Sequence, residues 1–174
     1  MSGFGLKTES TGNPNDVVFT QDHIARDIVR YFKPTGRMLD PCCGNGAFLK
    51  YMPGADWCEI TKGKDFFEWK DPVDWIVSNP PYSIIEDWMT HSMKVADDIV
   101  YLIPLMKILG NERRLVNIYR WGGIVEVRLY GDGKYLGFPF GFACGSIHIR
   151  RGYRGSQAWS FYQDPKKNPT IGLK

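Results

Sequence analysis

The sequence predicts an α/β fold: a mostly parallel central sheet flanked by helices and finished by an antiparallel hairpin at one edge. Three observations predict it. Short apolar runs with strand character alternate with stretches of helical periodicity from residue 20 onward. A turn carrying two glycines, "PCCGNG", follows one of those runs directly and leads into a helix-like segment. Near the carboxyl end, two β-patterned runs flank the turn-rich "YGDGKYLG".

The elements follow in order. Residues 1–16 are rich in Gly, Ser, Thr, Asn and Pro, show no periodicity, and are expected to form a flexible arm. Thr20 is expected to cap a helix over "QDHIARDIVRYF", where Ile24, Ala25, Ile28, Val29 and Phe32 form an apolar stripe. "GRMLD" reads as a strand, "AFLKYM" as the start of a helix, "ADWCEI" and "VDWIVS" as two further strands. The prolines at 80 and 81 must end the last of these, since neither can donate to a ladder and each pushes the residue before it into extended backbone. Ser83 is then expected to cap a helix over 84–96, "DIVYLIPL" to form a strand, "ERRLVNIYRW" a helix, and "GGIVEVRLY" and "CGSIHIRRG" the paired strands. This organisation predicts one domain over 17–155 and a loose tail over 156–174.

Composition narrows the class. The chain has 174 residues, 43% hydrophobic and 24% charged, which suits a single globular domain with a full core. No apolar run approaches the roughly 18 residues of a spanning helix, and "MSGFGLKTES" lacks the apolar stretch of a signal peptide, so a cytoplasmic protein is expected. Cys42, Cys43, Cys58 and Cys144 have neither CxxC nor Cys/His ligand spacing, so free thiols are expected and no metal site. The net charge of +3 hides an asymmetry. Residues 1–106 carry 10 Lys and Arg against 15 Asp and Glu, whereas residues 107–174 carry 12 against 4. The basic half, with Arg113, Arg114, Arg120, Arg128, Lys134, Arg150, Arg151 and Arg154 among aromatic residues, reads either as a face for a polyanion or as an ordinary solvated surface.

Two motifs carry chemistry. In "MLDPCCGNGAFL", Asp40 ends a strand and Gly44 and Gly46 let backbone approach a ligand closely. Glu59, nineteen residues after Asp40 at the end of the next strand, stands where an acid in open α/β sheets reaches ribose hydroxyls. Asp65 and Phe66 then offer an acceptor for an exocyclic amine and a ring for a base face. The second motif is the rigid corner Asn79, Pro80, Pro81, Tyr82, placed at the carboxyl end of a strand, where ligands bind in such sheets.

"DPCCGNGAFL" followed by "SNPPY", with "FTQDHIARDIV" ahead of both, resembles the S-adenosylmethionine-dependent DNA adenine-N6 methyltransferases of bacteria and phages. The similarity covers about residues 18–103, with a weaker echo in "GFACGSIHIRRGY". It implies a Rossmann-like class I methyltransferase fold and S-adenosylmethionine as cofactor, held by Thr20, Asp40, Cys42, Gly44, Gly46 and Glu59, with Asp65 and Phe66 at its adenine. It implies that Asn79 and Pro80 accept the two hydrogens of an adenine amine and that Tyr82 stacks on a base turned out of the duplex. Phe142, Arg113 and Arg114 are the candidates for further DNA contacts. The sequence departs from the family in one interval: only five residues separate Glu59 from Asp65. DNA is the expected partner; with no separate target-recognition domain evident, either residues 105–118 or the "YGDGKYLGFPFG" hairpin reads it, or specificity is low, or a separate specificity subunit supplies it, with the enzyme a monomer or dimer. Competing readings are a methyltransferase for cytosine N4, an RNA base or a protein glutamine, and a non-catalytic binding subunit.

Overall fold

The computed structural model describes residues 18–139 and 141–164; the arm expected over 1–16 and residues 165–174 of the tail lie outside the described residues. Seven strands form one sheet: β1 (Met38–Asp40), β2 (Asp56–Trp57), β3 (Val73–Ser78), β4 (Ala96–Pro104), β5 (Gly122–Asp132), β6 (Ala143–Arg151) and β7 (Ala158–Phe161). Their spatial order is β2-β1-β3-β4-β6-β5-β7. The first four are mutually parallel, β6 runs antiparallel to both β4 and β5, and β7 pairs parallel with β5. The expected parallel sheet with its antiparallel hairpin is present.

β3 and β4 are central and covered on both faces, which is why "VDWIVS" and "DIVYLIP" read as nearly unbroken apolar runs. Side chains alternate across the sheet. Trp75, Asp98, His148, Arg128 and Tyr130 face helix α1 (Asp22–Phe32), whereas Tyr101 faces helix α2 (Ile85–Val95), where its hydroxyl donates to Ser92 at 2.5 Å. Helix α3 (Met106–Leu109) and helix α4 (Glu112–Trp121) follow β4, and Trp121 Nε1 donates to the Met93 carbonyl of α2 at 2.9 Å.

α1 buries Ile24, Ala25, Ile28 and Val29, as its spacing predicts. Asp27 on its inner face accepts from Arg128 Nε at 2.7 Å, Arg128 Nη2 at 2.9 Å and the Tyr130 hydroxyl at 2.7 Å. Asp27→Ala would strip three donors of their acceptor inside a largely buried cluster. It is expected to cost about 3 kcal/mol in urea unfolding, well above the effect of removing an exposed pair such as Lys50–Asp22.

Several local expectations are corrected. Thr20 does not cap α1: Gln21 occupies that position without a side-chain hydrogen bond. Residues 47–52 form successive turns rather than a helix, with Lys50 N–H reaching Gly46 at 3.3 Å but Tyr51 and Met52 reaching only three residues back. Between Gly46 (φ 81°) and Pro53 there is too little chain to propagate a nucleated helix. Ser83 lies inside a 3₁₀ turn, Tyr82–Ile84, and α2 starts after Ile84 with no side-chain cap. β7 falls inside the segment expected to be a loose tail.

Part of the charge asymmetry is taken up by ion pairs between the two halves. Arg128 pairs with Asp27, Arg150 with Asp98, Arg151 with Asp97, and both Arg113 and Arg114 with Glu86. Every one of those acids comes from the acidic half. Sequence clustering of these arginines therefore does not produce an equivalent clustering of unpaired charge.

Candidate active site

In an open parallel sheet the ligand crevice lies where the winding direction reverses. Here the chain goes from β1 outward to β2, then returns to β3 on the other side of β1. The reversal therefore lies at the carboxyl ends of β1 and β3, which deliver Asp40–Gly46 and Ser78–Tyr82 to the same place.

The two segments are joined by hydrogen bonds. Asp40 Oδ1 accepts from Ser78 Oγ at 2.9 Å and from the Cys42 N–H at 3.4 Å. Cys42 Sγ lies 3.0 Å from Ser78 Oγ and donates to the main-chain carbonyl of Asn79 at 3.1 Å. Gly44 (φ 51°) and Gly46 (φ 81°) hold backbone that other residues rarely adopt, and this curls the loop. The Phe19 ring lies against Gly44, where a Cβ would meet it at 3.3 Å.

A cavity of about 40 Å³ sits between the loop and the corner, lined by Val18–Thr20, Cys42–Asn45, Ala47, Phe48 and Asn79. Asn79 is oriented from two sides. Its Nδ2 donates to the Val18 carbonyl at 2.9 Å, and its Oδ1 accepts from the Tyr82 hydroxyl at 2.5 Å. A carbonyl oxygen has two lone pairs, so Oδ1 retains capacity for a second donor.

Of the residues expected to hold a cofactor, Thr20, Cys42 and Gly44 line the cavity, and Gly46 lies between Asn45 and Ala47, which also line it. Asp40 lies behind the lining rather than in it: it is 1% exposed, and its Oδ2 has no hydrogen-bond partner. Burial pushes its pKa up to about 7, partly opposed by the Ser78 and Cys42 hydrogen bonds. Such an orphaned carboxylate oxygen beside a glycine loop fits an incoming ammonium group. Glu59 reaches the loop from the end of the next strand: its Oε2 accepts from Gly44 N at 2.8 Å and its Oε1 from the Thr61 hydroxyl at 2.8 Å. These bonds and Lys62 outweigh its partial burial and hold its carboxyl below the usual range.

Asp65 and Phe66 are not among the cavity-lining residues. Asp65 caps a single 3₁₀ turn, accepting from Phe67 N at 2.9 Å. Phe66 is buried, 4.7 Å from both Trp88 and His91 by ring centroid, so its ring serves the core rather than offering a face to a base. The short interval after Glu59 is a tight turn closed by a Glu59–Lys64 bridge, and β2 remains the edge of the sheet.

On the substrate side, Tyr82 is 6% exposed, packed 5.7 Å from the Phe138 ring with its hydroxyl on Asn79, so it presents no open face for stacking in this conformation. Arg114 is tucked under α4 and donates to the Lys107 carbonyl at 2.6 Å, while Arg113 pairs with Glu86 at 2.9 Å and remains largely exposed. Phe142 is 60% exposed at the start of β6. Residues 133–142 join β5 to β6 at the same end of the sheet as Asn79, because Pro104 at the end of β4 pairs with Cys144. Phe138, Ser78 and the Val18 carbonyl were not anticipated as parts of the corner. Only Ser78 had a sequence signal, its place at the inward end of β3 immediately before Asn79.

No protein-family profile matches the sequence, and no curated protein matches it. Solved structures do resemble it in fold. A Listeria monocytogenes protein assigned to the class I S-adenosylmethionine-dependent methyltransferases superposes with a TM-score of 0.60 at 12% identity, covering 87% of this chain and 68% of the other. A modification subunit assigned to a type I restriction enzyme of Vibrio vulnificus YJ016 gives 0.59 at 10% identity, covering 91% and 49%. The 23S rRNA methyltransferase ErmE gives 0.56 at 14% identity, covering 77% and 70%. The chain thus spans about half the length of the restriction-system subunit. The fold is the Rossmann-like fold of the class I methyltransferases.

Proposed function

We propose that this protein transfers a methyl group from S-adenosylmethionine to the exocyclic N6 amine of adenine in DNA. The observation that carries the reading is the position of Asn79, its amide pinned by Val18 and Tyr82 at the mouth of the glycine loop where β1 and β3 end.

S-adenosylmethionine would supply an electrophilic methyl group. Asp40 Oδ2 would take its ammonium, the Gly44–Gly46 backbone its methionine portion and Glu59 its ribose. The chemical difficulty lies with the amine, whose lone pair is delocalised into the adenine ring. Asn79 Oδ1 and the Pro80 carbonyl would accept its two hydrogens, favouring a tetrahedral nitrogen with the lone pair localised on it. Methyl transfer to N6 would break the donor's carbon–sulfur bond, and the proton that N6 loses would pass to solvent. Acceptors fixed before the reaction need no reorganisation during it, and the Pro80 ring together with the following Pro81 restrains the second of them.

The Tyr82 contacts make a specific expectation. Tyr82→Phe keeps the ring on Phe138 but removes the donor that orients Asn79, and should lower single-turnover transfer about tenfold. Tyr82→Ala also removes the ring and should lose considerably more. Equal rates for Tyr82→Phe and the wild type would show that the hydroxyl has no part in the reaction.

The test of the reading is incubation with methyl-labelled cofactor and separate DNA, RNA and protein pools, followed by nucleoside mass spectrometry. N6-methyladenine in DNA is expected. Label confined to RNA, to cytosine N4 or to protein would move the reaction to another planar amine. Cofactor binding without transfer would make the chain a binding subunit.

A further inference from the structure

The thiol of Cys42 has contacts that a loop lining alone would not require. It reaches across from the glycine loop to β3, touching Ser78 Oγ at 3.0 Å and donating to the Asn79 carbonyl at 3.1 Å. Ser78 commits its own proton to Asp40, so the Cys42 proton is the one available for Asn79. Burial, reinforced by the neighbouring Asp40 carboxyl, pushes the thiol pKa well above its usual value, so that proton is present at neutral pH.

The carbonyl that receives it belongs to the peptide unit joining Asn79 to Pro80. A peptide unit is planar, and the proline ring fixes the next dihedral. With Pro81 restricting the Pro80 ψ to extended values, the direction of the Asn79 carbonyl bears both on the base from which the Asn79 side chain projects and on the direction of the Pro80 carbonyl. Resting on the methyl-transfer reading above, we propose that Cys42 is a positioning residue for the reaction: its S–H holds the Asn79–Pro80 peptide in register with the cofactor loop, aligning the two amine acceptors with the methyl donor. Cys42 touches the peptide, not the reacting atoms, so its effect on the rate exceeds whatever its place in the cavity wall contributes to cofactor affinity.

The experiment compares wild type, Cys42→Ala and Cys42→Ser by three readouts: kcat for methyl transfer to adenine-containing DNA, calorimetric Kd for S-adenosylmethionine, and the urea unfolding midpoint. Cys42→Ala is expected to lower kcat about five- to tenfold, the size of one lost hydrogen bond, with a smaller change in Kd and a midpoint lowered by no more than that one bond accounts for. Cys42→Ser, which keeps a donor on a slightly shorter bond, is expected to recover most of the loss. An alanine variant with wild-type kcat overturns the proposal, as does one that shifts Kd or the midpoint while leaving kcat intact. A serine variant no better than alanine also overturns it. An active wild type under any of those outcomes leaves the methyl-transfer reading standing, whereas a wild type that binds the cofactor but transfers nothing removes that reading and this inference together.

Discussion

Asn79→Ala is expected to lower methyl transfer at least a hundredfold while leaving S-adenosylmethionine affinity within a few fold. The side-chain oxygen is one of two acceptors aimed at the amine, and removing one preorganised polar group in a water-excluded site costs about 3 kcal/mol of transition-state stabilisation. The truncation also releases the Val18 carbonyl from Nδ2 and deprives the Tyr82 hydroxyl of its 2.5 Å acceptor. Tyr82 still has the Leu102 carbonyl at 3.3 Å, so the corner is not left with an unsatisfied buried hydroxyl. Folding should survive, and the loss should appear in the chemical step. Single-turnover label transfer beside a calorimetric titration of the cofactor separates the two. A variant that binds cofactor normally and transfers within threefold of wild type would remove Asn79 from the mechanism.

The second large effect is a pH dependence of cofactor binding set by Asp40. Its carboxyl is pushed up to about 7, chiefly by burial. Between about pH 4 and 7 the folded protein therefore holds a proton that the unfolded chain does not, and this group's contribution to stability falls as pH rises through that window. An ammonium arriving at Oδ2 favours the ionised form, so binding should expel the proton. If only the carboxylate binds, affinity should rise about tenfold per pH unit below 7 and flatten above it, about 25-fold between pH 5.5 and 7.5. The upper limit matters because an α-amino group itself begins to lose charge near pH 8. The Glu59 carboxyl is held below its usual range by Thr61 and Gly44. Titration in two buffers of different ionisation enthalpy should register proton release near pH 6.5. Asp40→Asn should bind weakly and with a flat pH profile, and a flat profile in the wild type would contradict the assignment.

The parts of the fold legible in the sequence are those that local physics determines. Prolines at 80 and 81 end β3 whatever surrounds them, and the continuous apolar character of β3 and β4 announces burial on both faces. The helical stripe of α1 survives for the same reason. What was not legible depends on partners distant in sequence. Residues 47–52 have helix-forming composition, but the glycine turn before them and Pro53 after them leave no room for a helix. β7 has no strand signal strong enough to stand out from a polar tail, and it exists because the outer edge of β5 offers a ladder.

The candidate site divides in the same way. Asp40, Gly44, Glu59 and Asn79 could be named from spacing, and the fold brings them to one switch point. Phe66 could not be judged from "GKDFF", since nothing local says which of two adjacent rings turns inward toward Trp88. Which arginines of the second half pair with carboxylates could not be read locally, because those partners lie up to 101 residues away, as Arg128 and Asp27 do.

The most direct test of the central claim is nucleoside analysis of DNA incubated with labelled S-adenosylmethionine and either the wild type or Asn79→Ala. The account predicts labelled N6-methyladenine with the wild type and at least a hundredfold less with the variant. Labelled adenine at equal levels from both proteins, or wild-type label found only outside DNA adenine, would contradict it.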